Sequence, residues 1–346
     1  MHVRVNARNR GFQFECAAGE KVLHAGLRAG VDLPFECATG TCGTCKAKVI
    51  EGRVRDAWPQ APGRKYLKAA NECLMCQSIA ETDLTLEVAK FVNPLQPGAP
   101  VPTASRGRLG SASLLAADVM GFDVELEQPC EFDAGQFALL AAPGVGGYRA
   151  YSMVNCERGA RRLDFVVKRK PGGGFSEWLF GAARRGALLE LVGPLGKATY
   201  YPGLEKNVLC IAGGSGIAGM MSILARAVES GAFERHCGWL FFGVRTLRDA
   251  FYLRELSGLR ERSGGRLAVT VALSDEPVPG RAARDWPQLA FAHGLVHEVA
   301  KAAMAGKYQN VRAYLAGPPP AVDAALRVLL LDAKLTADNI RYDKFS

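Results

Sequence analysis

Nine residues, Cys37-Ala38-Thr39-Gly40-Thr41-Cys42-Gly43-Thr44-Cys45, hold three cysteines and two glycines. A C-x4-C-x2-C spacing with one more cysteine downstream suits a [2Fe-2S] cluster held by four thiolates. Such a cage needs several ligands from one loop, wrapped tightly enough for backbone N–H groups to face the sulfurs. Gly40 and Gly43 allow the positive φ that this wrapping requires. For the fourth thiolate, Glu72-Cys73-Leu74-Met75-Cys76-Gln77 offers both Cys73 and Cys76. Two C-x2-C pairs, Cys42/Cys45 and Cys73/Cys76, could also form a zinc ribbon, but that leaves Cys37 idle and needs a long separation. A disulfide framework belongs to small secreted domains, and ten cysteines in 346 residues are a modest share.

Three further strings carry potential phosphate chemistry. Gly172-Gly173-Gly174-Phe175-Ser176 precedes a helical stretch, so its N–H groups would sit at a helix N-terminus, where a pyrophosphate is favoured. Gly213-Gly214-Ser215-Gly216 follows an apolar run and opens a helix, and Gly317-Pro318-Pro319-Pro320 follows another such run. Each alone reads equally well as a turn.

The elements that must position these strings fall into three groups. In residues 1–92, alternation at His2–Val5 and Phe12–Cys16 predicts a hairpin and apolar spacing predicts a helix over Lys21–Ala29. The cysteine loop follows, then strands at Ala47–Ile50 and Leu84–Val88. Four prolines within 93–102 predict a semi-rigid linker. Residues 103–203 predict a small antiparallel barrel, with strands at Phe122–Leu126, Phe137–Ala141, Leu163–Val167 and Leu188–Val192. In 204–346 strand and helix alternate: strands at Val208–Ala212, Trp239–Gly243, Leu267–Leu273 and Val311–Ala316, and helices at Ile217–Glu229, Leu247–Leu256, His293–Met304 and Ala321–Leu330. That rhythm predicts an α/β parallel sheet covered on both faces. The net charge of +9 is spread along the chain, and its basic clusters are too short for a nucleic-acid arm. They suit solvated turns, an acidic protein partner or cofactor phosphates. No apolar stretch reaches the length of a membrane span and the first residues lack an apolar signal core. With free cysteines, this leads us to expect a cytoplasmic protein.

These strings, in this order, resemble the ferredoxin-NADP reductase superfamily, in particular members with an N-terminal plant-type ferredoxin domain. The resemblance implies a multidomain fold: a β-grasp ferredoxin (α+β), an antiparallel β-barrel for FAD and a Rossmann-like α/β nucleotide domain. It selects Cys76 as the fourth ligand beside Cys37, Cys42 and Cys45, and leaves Cys73 a packing residue. It implies flavin contacts at Arg149, Tyr151 and Ser152, with Arg149 on the phosphates, Tyr151 on the ring system and Ser152 near N5. A second flavin segment covers Val167, Lys168, Gly173, Gly174, Phe175 and Ser176. The nicotinamide signature falls on Gly213, Gly214, Ser215, Gly216 and Ile217, followed by Gly243 and Arg245, with Gly317 and Pro318 at the last strand and Phe345 beside the flavin. Two departures stand out: Ala218-Gly219 where relatives carry Ala-Pro, and Ala316-Gly317-Pro318 where most carry Cys-Gly-Pro. The implied activity is electron transfer from NADH through FAD and the cluster to a multicomponent oxygenase, with the reductase a monomer. Glu51–Val54, Trp58–Gly63 and the ending Tyr342–Ser346 are similar to reductases of soluble di-iron toluene and alkene monooxygenases. Reductases of Rieske ring-hydroxylating dioxygenases share the plan. A zinc-stabilised interaction protein without electron flow is the alternative from another class.

Overall fold

The structure, a computed structural model, describes residues 1–344. In the first unit the alternation places Val3, Val5 and Phe14 on one face, and β1 (His2–Ala7) and β2 (Gly11–Glu15) pair antiparallel. Helix α1 (Val22–Arg28) buries Val22, Leu23, Ala25 and Leu27 against that face. Strands β3 (Lys46–Glu51), β5 (Glu72–Leu74) and β7 (Leu84–Val88) complete the sheet in the order β2-β1-β7-β3-β5, while β4 (Val54–Asp56) and β6 (Ser78–Ala80) form a separate ribbon. β1 and β7 run parallel at the centre. Of the proline-rich stretch, Asn93, Pro94 and Leu95 remain tied to this unit: Asp32 N–H donates to Asn93 O at 2.9 Å and Leu95 N–H to Gly30 O at 2.8 Å.

The second unit is a six-stranded antiparallel sheet of β8 (Thr103–Ala116), β9 (Val119–Cys130), β10 (Phe137–Ala141), β11 (Arg149–Ser152), β12 (Ala160–Lys168) and β13 (Leu188–Leu195). Its order is β11-β10-β13-β8-β9-β12. A bridge between Met153 and Phe165 joins the two ends, closing the sheet into a barrel, and α2 (Gly174–Gly181) packs on it. Phe122, Phe165 and Leu189 fill the interior.

The third unit begins with β14 (Asn207–Gly213) and α3 (Ile217–Glu229), and continues through β15 (Gly238–Val244), α4 (Leu253–Arg262) and β16 (Leu267–Leu273). It ends with α5 (Ala282–Asp285), β17 (Ala290–His293), α6 (Val296–Ala303), β18 (Val311–Gly317), α7 (Pro319–Arg327) and β19 (Ile340–Lys344). All pairs in the order β17-β16-β15-β14-β18-β19 are parallel. The central strands β14, β15 and β16 are nearly continuous apolar runs because both sheet faces are covered, one by α3 and α4, the other by α6 and α7.

Two expected helices differ. The one over Leu247–Leu256 is a short turn at Leu247–Asp249 followed by α4, because a Thr246/Asp249 capping box closes the turn and Tyr252, at φ +60°, restarts the chain. The one over His293–Met304 is split: His293 ends β17, and Gly294 at φ +128° breaks the chain before α6. β4, β5, β6, β8, β11, β17 and β19 were not anticipated.

Candidate functional site

The cysteine loop and Cys76 bring four sulfurs together as two pairs in the first unit. Cys37 and Cys42 form one pair, hydrogen-bonded to each other, and the Cys45 and Cys76 sulfurs stand 3.2 Å apart in the other. Among the described residues no three His, Cys, Asp or Glu donors surround a point that one metal ion could occupy. A two-by-two arrangement suits two irons with two thiolates each, whereas zinc draws four ligands around one centre. The donor set therefore fits a [2Fe-2S] cluster. N–H groups of Thr39, Thr41 and Cys42 reach Cys37 Sγ at 3.4 Å, and Thr44 N–H reaches Cys42 Sγ at 3.5 Å. Within the pair, hydrogen bonds from Cys42, Thr41 and Thr39 lower the Cys37 thiol, and the same contact raises that of Cys42. Gly43, at φ +75°, lies beneath Tyr66, where an added Cβ would meet Cδ2 at 2.5 Å. Cys73 is instead buried in β5 opposite Ala47.

On the barrel, β11 carries Arg149 toward the first unit, Ser152 toward the third and Tyr151 against the barrel's own Phe175. The Arg149 guanidinium lies 5.9 Å from the Trp58 ring, so the flavin string and the cluster unit meet. Tyr151 packs on Phe175 at 5.1 Å, and burial pushes its hydroxyl pKa upward. Ser152 is nearly buried, and a Cβ at Gly219 of α3 would be only 3.5 Å from its Cβ; the first departure from the family pattern thus stands directly behind Ser152. Gly173 caps α2, and Ser176 Oγ accepts from Lys170 N–H at 3.0 Å while bonding Gly173 O at 3.1 Å, which fixes the glycine turn. The side chains of Val167 and Phe175 are both 1% exposed in the barrel core, because each falls on the inward face of its element. Lys168 turns away from α2 and pairs with Asp118 at 3.2 Å.

The third unit has a cavity of about 320 Å³ at the carboxyl ends of its strands. Gly213, Gly214, Ser215, Gly243, Arg245 and Pro318 line it, together with Lys168 and Asp118 from the barrel. Ile217, the first residue of α3, is fully buried in the core. Gly216 and Gly317 serve close backbone approach instead: a Cβ at Gly216 would stand 2.5 Å from Ala316 O, and one at Gly317 3.0 Å from Gly213 N. Ala316, the second departure, is thus held against the phosphate turn by its carbonyl. Phe345 lies outside the described residues. Residues that sequence reasoning missed are Asp118, which also reaches Arg245 at 3.8 Å, and Asp343 on β19. Burial and the Glu36 carboxylate beside the cluster loop push Asp343 up to about 7. Neither has a sequence signal, since each acts across a domain boundary.

Comparison with known proteins matches three domain families: a 2Fe-2S iron-sulfur cluster binding domain over residues 5–81, an oxidoreductase FAD-binding domain over 106–200 and an oxidoreductase NAD-binding domain over 210–327. The chain is 34% identical over 345 residues to the ferredoxin–NAD(+) reductase component of the alkene monooxygenase system of Xanthobacter autotrophicus, covering 97% of this chain and 99% of that one. It is 34% identical to the xylene/toluene monooxygenase electron transfer component XylA of Pseudomonas putida, covering 93% of this chain and 87% of the other. Among solved structures, the ferredoxin reductase in carbazole 1,9a-dioxygenase superposes with a TM-score of 0.84 at 32% identity, covering 100% of this chain and 99% of that one. The chain belongs to the ferredoxin–NAD(P)+ reductases that join a [2Fe-2S] domain to FAD- and NAD-binding domains, and it uses FAD, a [2Fe-2S] cluster and NADH.

Proposed function

We propose that this reductase, divided into residues 1–92, 103–203 and 204–346, is a cytoplasmic monomer that serves a soluble di-iron monooxygenase. The observation that carries its redox role is the pairing of the four sulfurs in a unit whose Trp58 meets the barrel's Arg149. Bound FAD converts a two-electron donor into single-electron deliveries, which is what a [2Fe-2S] acceptor needs. Cys37, Cys42, Cys45 and Cys76 hold the cluster. Arg149 and the N–H groups at the start of α2 neutralise flavin phosphates, and Ser152 donates a hydrogen bond at the reacting edge. The turn Gly213–Ser215, with Arg245, binds the nucleotide diphosphate.

The di-iron choice rests on the relatives serving alkene and xylene/toluene monooxygenase systems. The exposed segment over the cluster loop supports an acidic partner, since Arg64, Lys65, Tyr66 and Lys68 crown the Gly40–Gly43 turn. A dioxygenase partner is the second reading, favoured by similarity to the carbazole 1,9a-dioxygenase reductase. Anaerobic rapid mixing with NADH tests the electron order: flavin absorbance should bleach before that of the cluster, and the reverse order would reject it. NADH-driven turnover with purified di-iron and dioxygenase components tests the partner. Turnover with the dioxygenase alone would reject the di-iron assignment.

A further inference from the structure

One cation beside the cluster loop has no role in the scheme above. Lys21, the residue before α1, is half-buried, and its Nζ reaches Gln77 Oε1 at 3.3 Å. The same amide points its Nε2 at Cys76 Sγ, 3.8 Å away. The other side of the ammonium is covered from the barrel, where the Tyr148 ring centre stands 5.3 Å from Nζ. Tyr148 is itself fixed by its hydroxyl, which donates to Glu190 Oε2 at 3.0 Å, and by the edge of the His24 ring. Among the described residues Lys21 makes its polar contacts with an amide and a ring, not with a carboxylate.

An ammonium withdrawn from water without a counter-carboxylate is costly. Burial accordingly lowers the pKa of Lys21, and the opposing charges that favour its protonated form belong to Cys76 and Cys45. The Gln77 amide, which meets Lys21 Nζ at one end and Cys76 Sγ at the other, links this cation to the thiolate cage. Reduction adds one electron and one negative charge to that cage, so a fixed cation nearby favours the reduced form. Because effective charge strengthens as water is excluded, the barrel's Tyr148 amplifies an effect exerted in a different domain.

We propose that Lys21 is a positioning charge that raises the reduction potential of the cluster, and that Tyr148 of the flavin barrel sustains this by keeping water from the ammonium. The step is a one-electron gain by the cluster, supplied by NADH through FAD; Lys21 keeps its proton and no bond is made or broken there. The inference rests on the assignment of the four cysteines as cluster ligands.

The test is anaerobic potentiometric titration of the full-length holoprotein, with the spin signal of the reduced cluster as readout. Lys21→Met, which keeps the apolar stem, should shift the reduction equilibrium against the reduced cluster about tenfold, or about 59 mV for one electron. Lys21→Arg should titrate close to the parent, and Tyr148→Ala should shift in the same direction as Lys21→Met by a smaller amount. Should Lys21→Met lose its cluster, Lys21→Gln provides the neutral side chain. A neutral variant that titrates with the parent, or an arginine variant that shifts as far as the neutral one, overturns the proposal. A parent protein with no cluster spin signal would instead overturn the ligand assignment, so the two failures are distinct.

Discussion

At the residue scale, the two candidates for the fourth thiolate separate by environment. Cys76 faces Cys45, whereas Cys73 is spent on packing within β5. Cys76→Ser should therefore abolish cluster absorbance while leaving flavin-dependent ferricyanide reduction by NADH intact. Cys73→Ser should keep the cluster and lose about 1–3 kcal/mol of stability from burying a hydroxyl, measurable by denaturant titration. Asp343 gives a pH signature. Its carboxyl titrates at about 7 in the folded chain against an ordinary 3.8, so the unfolded chain releases its proton first as pH rises. Stability thus falls between about pH 4 and 7 and is level above that. Asp343→Asn removes the loss, and the melting temperature of the variant should exceed that of the parent by a gap that opens from pH 4 to pH 8. Most of the cofactor strings were legible because glycine and cysteine spacing is set by local backbone demands. The burial of the Val167, Phe175 and Ile217 side chains was not legible, because a motif marks a position along the chain while packing decides the direction of the side chain.

At the element scale, the phosphate turn between β14 and α3 depends on Gly216. Its φ of −61° is ordinary helix, so an alanine there is unstrained in itself, but the Cβ would stand 2.5 Å from the backbone oxygen of Ala316. Gly216→Ala should cost about 1–3 kcal/mol and weaken NADH binding, seen together as a lower melting temperature and a raised KM. Strands and helices with strong apolar periods, such as β7, α3 and β16, were readable to the residue. β8 was not, because Thr103–Ala116 is rich in serine, glycine and alanine and slips register at Leu109/Ala112, which erases the period of two. β19 was hidden for another reason: it is a short edge strand whose place depends entirely on β18.

At the scale of the whole molecule, the three sites converge. Trp58 meets Arg149 between the first two units, Asp118 and Lys168 of the barrel enter the nucleotide cavity, and Asp343 of the last strand answers to Glu36 at the cluster loop. Over the cluster loop Arg64, Lys65, Tyr66 and Lys68 are exposed, with Tyr66 packed on Gly43. Lys65→Glu combined with Lys68→Glu should slow turnover with the oxygenase at least tenfold at low salt, leave ferricyanide reduction by NADH unchanged, and narrow the difference as ionic strength rises. Equal loss in both assays would mean that the pair supports folding rather than docking. Domain order was legible from composition, but the convergence was not, since each contact joins residues from different units of the chain.

The first unit and the barrel share a single apolar cluster, in which Phe137, Leu139, Val192 and Leu195 continue the core that begins at Val3, and Lys197 pins the seam to Asp32 at 2.7 Å. Cutting the chain after residue 95 would leave those four side chains facing solvent. The shortened flavoprotein should then self-associate or precipitate on expression, and its missing half, supplied as a separate polypeptide, should restore it to solution.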